Sequence, residues 1–357
     1  MSATAAQNAN GASGPAAPVE IDPAKVLVIF PMLNEARHAE AVLRQVIEGD
    51  PIASACPVVV ADGGSADETR AIVTRLAAEF PNLSLADNPK RLQAAALNLA
   101  LAPKHAEAEI LIRCDAHAAY PPYYVSRLVA SLTARETASV VVPMDAVAEE
   151  GCFQRGLAWV ADTKLGAGGS AHRGGTASGY VDHGHHAAFR MEIFRQLGGY
   201  NETFRTNEDA EYDRRVLEAG GRIWLDADIR IGYFPRRSPG ALWRQYLRYG
   251  EGRARTCHIH AVMPRLRQLI PVAHVGLLGL SLLMLPFGWL GWLWPAAYGA
   301  LVIGTSVAVA RARRSACGLM AGPAIAIMHT AWGIGFSLAM LRFTLTSPMR
   351  AAPGAAG

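Results

Sequence analysis

The first half of the chain alternates short apolar runs with amphipathic stretches. The first run, Lys25-Val-Leu-Val-Ile-Phe30, has no polar residue after Lys25, which is typical of a strand buried on both faces. Helical patterns separate it from three more runs that we predict to be strands, at residues 57–61, 83–85 and 109–117. This order predicts an α/β fold with a mostly parallel, doubly wound sheet and helices on both faces.

Shorter elements follow the fourth predicted strand. We expect strands at residues 140–144, 187–190, 221–226 and 229–233, and helices at residues 93–102, 192–197, 204–219 and 242–250. Ser65 and Glu68 have the spacing of a capping box, which would open a helix ending at Phe80.

Polar residues stand directly after the predicted strands. Asn34, Glu35, Asp62 and Asp115 all fall at carboxyl ends, and ligands of such sheets bind outside these ends. Asn34 or Asp62 alone could instead be a helix N-cap. Four polar side chains that converge from three strand ends predict a ligand site.

Asp115 and His117 are candidates for a metal site. Two residues apart on extended backbone, their side chains point the same way, so a carboxylate and an imidazole can face one divalent cation. The alternative is a strand-end aspartate beside a surface histidine.

The back part of the chain has a different composition. No Asp or Glu follows Glu251, and residues 268–310 and 315–341 contain no charged residue. These lengths predict two membrane helices with a turn near residues 288–294, and a third segment that either crosses fully or is re-entrant at Gly322-Pro323. The positive-inside rule places the arginines at 265, 267 and 311–314 in the cytoplasm, with the tryptophans at 289–294 at the far interface.

Composition and charge narrow the function classes. The net charge of +4 is the sum of a mixed-charge front part and a basic, apolar back part, which favours contact with a membrane. The first two hundred residues lack a basic stripe interleaved with aromatic residues, so we expect no nucleic-acid binding. The five cysteines have no paired spacing, and we predict all of them to be reduced: Cys56, Cys114, Cys152, Cys257 and Cys317.

Four motifs occur in an order that resembles a known family. They are Pro31 with Asn34-Glu35, Asp62-Gly-Gly-Ser65, Asp115-Ala-His117 and Asn207-Glu208-Asp209. Over residues 25–260 the chain resembles an inverting glycosyltransferase of family 2 with the GT-A fold. The string Arg113-Cys-Asp-Ala-His-Ala-Ala-Tyr-Pro121 is most similar to the succinoglycan-type, ExoA-like branch.

The resemblance implies roles for the donor site. Pro31, Asn34, Glu35 and Asp62 would hold the uracil and ribose of a UDP-sugar, and Lys90 or Arg91 would reach its phosphates. Asp115 and His117 stand where the family has Asp-x-Asp, so they would bind Mn²⁺ or Mg²⁺ at the diphosphate. A histidine in place of the second Asp favours Mn²⁺; alternatively, Asp115 alone carries the ion.

The resemblance also implies a base and an acceptor site. Asp209 would be the catalytic base with Glu208 as its neighbour, although an acidic first helical turn is also favoured by the helix dipole. Gln245, Arg248 and Tyr249 share one helix face and resemble the Gln-x-x-Arg-Trp motif, which would contact the acceptor or its diphosphate. Core packing with a solvated arginine is the alternative.

We expect the Gly-rich segment at residues 166–184 to be a mobile loop over the acceptor pocket. It leads into three histidines, His183, His185 and His186, which are close enough in sequence to suggest a metal. Because no second ligand cluster accompanies them, a dedicated zinc site is the less favoured interpretation.

Together these features divide the chain into a disordered tail (1–24), a GT-A domain (25–262), a membrane region of two or three helices (263–345) and a C-terminal tail (346–357). We expect an enzyme of a bacterial inner membrane that faces the cytoplasm. It would move a hexose, with glucose favoured, from a UDP-sugar to a polyprenyl-diphosphate-linked saccharide, beside other exopolysaccharide assembly enzymes. The alternatives are transfer to a polyprenyl monophosphate, or an inactive membrane partner of a synthase. A sugar nucleotidyltransferase would need a Gly-rich, basic loop where Pro31–Glu35 stands.

Overall fold

The computed structural model describes residues 21–346. The predicted tails lie outside this range apart from residues 21–24 and 346. The strands are β1 Val26–Met32, β2 Val58–Asp62, β3 Leu83–Asp87, β4 Ile110–Arg113, β5 Ala118–Ala119, β6 Ser139–Val142, β7 Met144–Ala146, β8 Gly179–Val181, β9 His185–Arg190, β10 Ile223–Leu225 and β11 Ile231–Tyr233. The α-helices are α1 Ala36–Glu48, α2 Thr69–Glu79, α3 Gln93–Asn98, α4 Tyr124–Thr133, α5 Cys152–Ala161, α6 Lys164–Ala167, α7 Met191–Gln196, α8 Glu208–Glu218, α9 Pro239–Ile259, α10 Leu266–Met284, α11 Leu293–Ala312 and α12 Ala321–Thr346.

Eight strands form the central sheet in the order β3-β2-β1-β4-β9-β6-β10-β8. The first four are parallel, whereas β9 runs antiparallel to both of its neighbours. Every residue of β2 is buried, as expected for a strand covered on both faces. The predicted doubly wound, mostly parallel sheet is confirmed.

Helices cover both faces of this sheet with separate apolar cores. Side chains of α1, α2 and α4 pack on one face, and side chains of α3, α7 and α8 pack on the other. In the strand register Met32 lies beside Asp62, and Asp62 lies beside Asp87. The carboxyl ends of β1, β2 and β3 therefore meet at one edge, which is where the predicted site residues stand.

The predicted capping box at Ser65 is wrong. Helix α2 begins at Thr69, and Glu68 at its N-cap makes no side-chain cap hydrogen bond. The Ser65 hydroxyl instead donates to Asp62 and accepts the backbone N–H of Asn34. The Ser65 hydroxyl thus joins the loops after β1 and β2, although the local sequence pattern had assigned it to the start of α2.

Three C-terminal helices are long and apolar enough to cross a membrane. They comprise α10 and α11, which are joined by a turn at residues 285–292, and α12. Helix α12 runs without a break through Gly322 and Pro323, because Pro323 lies in the first turn, where its missing N–H removes no intrahelical hydrogen bond. The described helix therefore has no break at these two residues on which a re-entrant turn could be based.

Helix α12 is packed against the α/β part of the chain. Of its most apolar window 44% is buried, compared with 11% for α10 and 6% for α11. Gly335 approaches Leu247 of α9 so closely that a Cβ would stand 2.1 Å from the Leu247 carbonyl oxygen. Further along, the Phe343 ring stacks on His258, near the end of α9. Small residues thus let α12 lie alongside α9 over most of its length.

The prediction that all five cysteines are reduced is wrong for two of them. Cys152, the first residue of α5, forms a disulfide with Cys317 in the turn before α12. Close packing brings them together, since a Cβ on Gly156 would stand 2.7 Å from the Cys317 carbonyl oxygen. The two cysteines are 165 positions apart in the sequence, so no local spacing identified the pair.

Candidate active site

A cavity of about 830 Å³ lies between the carboxyl end of the sheet and helices α8, α9 and α10. Seven of the predicted site residues line it: Asp115, His117, Glu208, Asp209, Gln245, Arg248 and Tyr249. These residues come from three distant parts of the sequence. The structure therefore assembles the predicted metal, base and acceptor motifs around one space.

Asp115 lies two residues beyond β4 and is held firmly. Arg113 donates to both carboxylate oxygens, Gln93 donates to Oδ1, and the Tyr120 hydroxyl bonds to the backbone N–H and carbonyl of Asp115. Burial opposes ionisation of Asp115, but Arg113, His185 and then His117 outweigh it and hold the pKa of this carboxyl well below its usual value. Asp115 is thus a fixed anion at the floor of the cavity.

Two histidines flank this anion in different ways. His185 Nε2, at the start of β9, lies 3.5 Å from Asp115 Oδ2. Burial, helped by Arg113, lowers the pKa of His185 to about 3, so its ring is neutral and keeps a lone pair. His117 is turned toward Glu35, with 3.1 Å between Nδ1 and Oε1, and this hydrogen bond raises the pKa of His117. The imidazole nearest to Asp115 Oδ2 is therefore His185, which the sequence pattern did not indicate.

Glu208 and Asp209 open helix α8. Glu208 is buried, and burial together with the charge of Asp209 raises the pKa of the Glu208 carboxyl to about 7. Burial of a carboxyl beside a second negative charge favours its protonated form. Glu208 is thus the carboxyl that keeps a proton near neutrality.

The loops after β1 and β2 hold each other. Asn34 has a φ of 57° and its side-chain oxygen accepts the N–H of Ala66, so it does not cap α1. The Asp62 side chain is fully buried and accepts hydrogen bonds from Gly64, Ser65 and Arg70. Neither residue lines the cavity, nor do Pro31 and Glu35, although Glu35 adjoins it through His117.

The two basic residues after β3 have different surroundings. Lys90 forms an ion pair with Glu202 and does not line the cavity. The Arg91 guanidinium lies over Gly64, with 3.2 Å between its nitrogen and the position of a Cβ on that residue. Of the two, Arg91 is the one placed beside the loop that carries Asp62.

Helix α9 and the Gly-rich segment form the opposite wall. Gln245 donates to the Tyr249 hydroxyl over 2.9 Å, and both side chains line the cavity with Arg248, as their common helix face predicts. In the Gly-rich segment, Arg173 stacks on the Tyr233 ring, 4.3 Å from its centroid. This part of the segment is a wall of the cavity.

The neighbouring histidines have separate partners. His183 Nδ1 bonds to the buried Asp213 over 2.6 Å, whereas His185 faces Asp115. Within residues 21–346 no group of three or more His, Cys, Asp or Glu side chains is arranged to hold a metal. A zinc site built by these histidines therefore has no support in the described geometry.

Arg113, Gln93 and His185 are the site residues that the sequence missed. Arg113 stands inside an apolar strand, where a single basic residue has several explanations. Gln93 and His185 reach Asp115 only through tertiary contacts, 22 residues before it in sequence and 70 residues after it. The Asp182-His-Gly-His string was the one available signal for His185, and it did not identify its partner.

Comparisons with known proteins agree with this geometry. The model of the family described as "Glycosyl transferase family 2" matches residues 27–198. The chain is 41% identical to the succinoglycan biosynthesis protein ExoA of Rhizobium meliloti (strain 1021) over 324 residues, which is 91% of this chain and 97% of that protein.

A solved structure has a similar fold. It is the mannosyltransferase PcManGT from Pyrobaculum calidifontis, in complex with GDP-Man and Mn²⁺. The TM-score is 0.54 at 22% identity, covering 90% of this chain and 89% of that one. The predicted resemblance is confirmed: the chain belongs to glycosyltransferase family 2, in the ExoA-like branch, and has the GT-A fold.

Proposed function

We propose that this protein is an inverting, metal-dependent hexosyltransferase of exopolysaccharide assembly. It would move a hexose, with glucose favoured, from a UDP-sugar to a polyprenyl-diphosphate-linked saccharide. The observation that carries the proposal is the shared cavity, in which Asp115 and Asp209 lie opposite residues of the membrane helix α10. The relative named for succinoglycan biosynthesis supports the same pathway class.

The donor would bind at the carboxyl ends of β1, β2 and β4. We assign the uracil and ribose to the loops around Pro31, Asn34, Glu35 and Asp62. In this structure Asp62 is already saturated with donors, so it shapes the loop that receives the base. Arg91 is better placed than Lys90 to reach a phosphate, because Lys90 is paired with Glu202.

A divalent cation fits beside Asp115. The carboxylate is ionised and His185 is neutral, and the 3.5 Å between their facing atoms suits two donors to one ion. The mixed oxygen–nitrogen set, with His117 two residues away as a further candidate ligand, favours Mn²⁺, which is also present in the mannosyltransferase complex. When bound, such an ion neutralises the diphosphate and makes UDP a better leaving group.

Asp209 would accept the proton of the attacking hydroxyl. Burial and the neighbouring charge raise the pKa of Glu208 and favour its protonated form, so of this pair we assign the base role to Asp209, which lines the cavity. As the acceptor oxygen attacks C1 of the sugar, its proton passes to Asp209, the C1–O bond to UDP breaks, and the anomeric centre inverts. One carboxylate suffices because a diphosphate leaving group needs no general acid, unlike the leaving groups of most hydrolases, which pair two.

We infer that α10 and α11 cross the membrane as a hairpin. Helix α12 lies along α9, and its two ends contact α5 and α9, so it would stay at the surface beside the catalytic domain. Arg313, in the turn before α12, stacks on Trp159 of α5. This contact supports placing the turn and the catalytic domain on the same side of the membrane. The boundary near residue 262 and a cytoplasmic catalytic domain are part of this proposal.

Reporter fusions test that topology. Fusions at Arg313 and after Thr346 should both report the cytoplasm, and a fusion at Trp292 should report the opposite side. An external signal after Thr346 would mean that α12 crosses as a third span. A cytoplasmic signal at Trp292 would refute the hairpin.

The function itself is tested by a donor and acceptor screen. Membranes that contain the chain are incubated with labelled sugar nucleotides, each with a polyprenyl-diphosphate-linked or a monophosphate acceptor. We expect label in the lipid fraction with a UDP-hexose and the diphosphate-linked saccharide. Preference for the monophosphate would change the acceptor class, and no sugar-nucleotide turnover would indicate an inactive partner protein.

A further inference from the structure

The cavity carries far more positive than negative charge. Nine Lys and Arg side chains line it, against three carboxylates. Two arginines are already matched, Arg113 by Asp115 and Arg173 by Asp162, and a protonated Glu208 adds no negative charge. A nucleotide diphosphate bound with a divalent cation has little net charge. The surplus therefore predicts a second anionic group in the same cavity.

Part of the surplus lies where α9 meets the first turn of α10. Arg244 and Arg248 project from α9, and Arg267 projects from α10. Within residues 21–346 none of these three arginines forms an ion pair with a carboxylate. The Arg267 stem packs on the Gly-rich segment, with 3.6 Å between its Cδ and the position of a Cβ on Gly168. Arg267 is thus held at the cavity, and its guanidinium has no carboxylate partner among the residues that the structure describes.

The same end of the cavity has an apolar wall made by α10 and α12. Ile270 and Pro271 of α10 and Met328 and Trp332 of α12 line it. Ile270 remains 60% exposed, which is unfavourable in water and suits contact with hydrocarbon. A sugar nucleotide offers no hydrocarbon to this wall, so the second anion should carry an apolar chain.

The spacing of Arg267 and Ile270 along α10 determines where an anionic head and its attached apolar chain would bind. Arg267 and Ile270 are three residues apart and therefore lie on one helix face, within about one turn of 5.4 Å. Arg267 is in the first turn of α10, where the helix would enter the membrane, and Ile270 is deeper. An anionic head at Arg267 would place an attached chain against Ile270.

We propose that Arg244, Arg248, Arg267, Ile270 and Trp332 form a membrane mouth that binds the diphosphate and first isoprenoid units of the lipid-linked acceptor. The arginines take the diphosphate, and Ile270 and Trp332 take the chain. This rests on the proposed function, and it adds that the first membrane helix is itself part of the acceptor site. The saccharide then points inward, toward Asp209.

The test measures binding by the full chain in nanodiscs. One set of phosphatidylcholine nanodiscs contains a polyprenyl diphosphate, a second contains phosphatidylglycerol, and free inorganic diphosphate is titrated separately. The variants are Arg267→Gln and Ile270→Ser, both at side chains that are at least partly exposed. Arg311→Gln is the matched control. This arginine lies in the last turn of α11, on the same proposed side of the membrane as Arg267, and it does not line the cavity.

We expect Arg267→Gln to weaken binding of both the polyprenyl diphosphate and inorganic diphosphate roughly tenfold, the loss for one charge-assisted contact. Ile270→Ser should weaken the polyprenyl diphosphate several-fold and leave inorganic diphosphate unchanged, whereas Arg311→Gln should change neither. Wild-type transfer of sugar from UDP-sugar to the lipid-linked saccharide is measured first, since its absence refutes the proposed function independently of the mouth.

Three results would overturn the membrane mouth. The first is an affinity for polyprenyl diphosphate in Arg267→Gln that stays within twofold of wild type. The second is an equal loss in Arg311→Gln, which would indicate general attraction to the bilayer. The third is Arg267-dependent binding of phosphatidylglycerol that is as tight as the binding of polyprenyl diphosphate. These arginines would then bind the headgroups of ordinary anionic lipids.

Discussion

Replacement of Asp209 by asparagine removes the charge that we assign to the base while preserving the size of the side chain. Glu208 cannot readily take over, because its carboxyl is only 6% exposed and burial, the largest cause of its raised pKa, persists in this variant. We therefore expect the full effect of losing a positioned base, a fall in turnover of roughly 10²–10⁴. That fall corresponds to roughly 3–5 kcal/mol of barrier at 1.36 kcal/mol per factor of ten.

The assay is transfer of labelled sugar to a lipid-linked acceptor by the purified chain, with UDP binding measured in parallel. UDP affinity should be unchanged in Asp209→Asn, since the donor contacts lie at the strand ends. Glu208→Gln is the matched control: near pH 6 it replaces a neutral acid by a neutral amide, so turnover should stay within about tenfold of wild type. Near wild-type turnover in Asp209→Asn, or a larger loss in Glu208→Gln, would move the base to Glu208.

Further outcomes concern the metal, pH and redox state. Chelator should abolish transfer, and Mn²⁺ should restore it better than Mg²⁺. His185→Ala should raise the Mn²⁺ concentration required for activity roughly tenfold or more. An equal rise in His117→Ala would make both histidines ligands. Because the folded state raises the pKa of Glu208, its contribution to stability is present below the unfolded value and is lost as pH rises through about 7. The unfolding temperature should therefore fall over that range in wild type and fall less in Glu208→Gln; parallel curves would contradict the buried acid. Because the three free cysteines are buried, the alkylation is done in denaturant. Protein purified without reductant should then present three cysteines to an alkylating reagent and five after reduction; five at the outset would contradict the Cys152–Cys317 bridge.

The fold was predictable because its strands are local patterns. Apolar runs such as residues 25–30 and 57–61 require burial on both faces, and this requirement leaves few arrangements other than a covered parallel sheet. Helix α9 shows where local rules fail. We predicted that it ends at Gly250, yet it continues to Ile259, because Gly250 and Gly252 lie against Trp332 and Thr206 where a Cβ would not fit.

The site was predictable as motifs and not as contacts. Asp115 and Asp209 were identified from short strings that resemble a family, and both line the cavity. The sequence pointed to His117, two residues from Asp115, whereas His185, which faces Asp115 in the structure, comes from an antiparallel strand 70 residues later. Such a contact depends on strand order, which periodicity within one segment does not encode.

The most direct test of the central claim is the product of a single reaction. Purified chain in nanodiscs is given Mn²⁺, UDP-[¹³C]glucose and a polyprenyl-diphosphate-linked saccharide, and the anomeric signal of the lipid-extracted product is measured by NMR. Because UDP-glucose is α-linked and Asp209 acts in one displacement, we predict a β-linked glucose on the lipid-linked saccharide, absent with Asp209→Asn. An α-linked product, or an undiminished β-linked product from Asp209→Asn, would contradict the account.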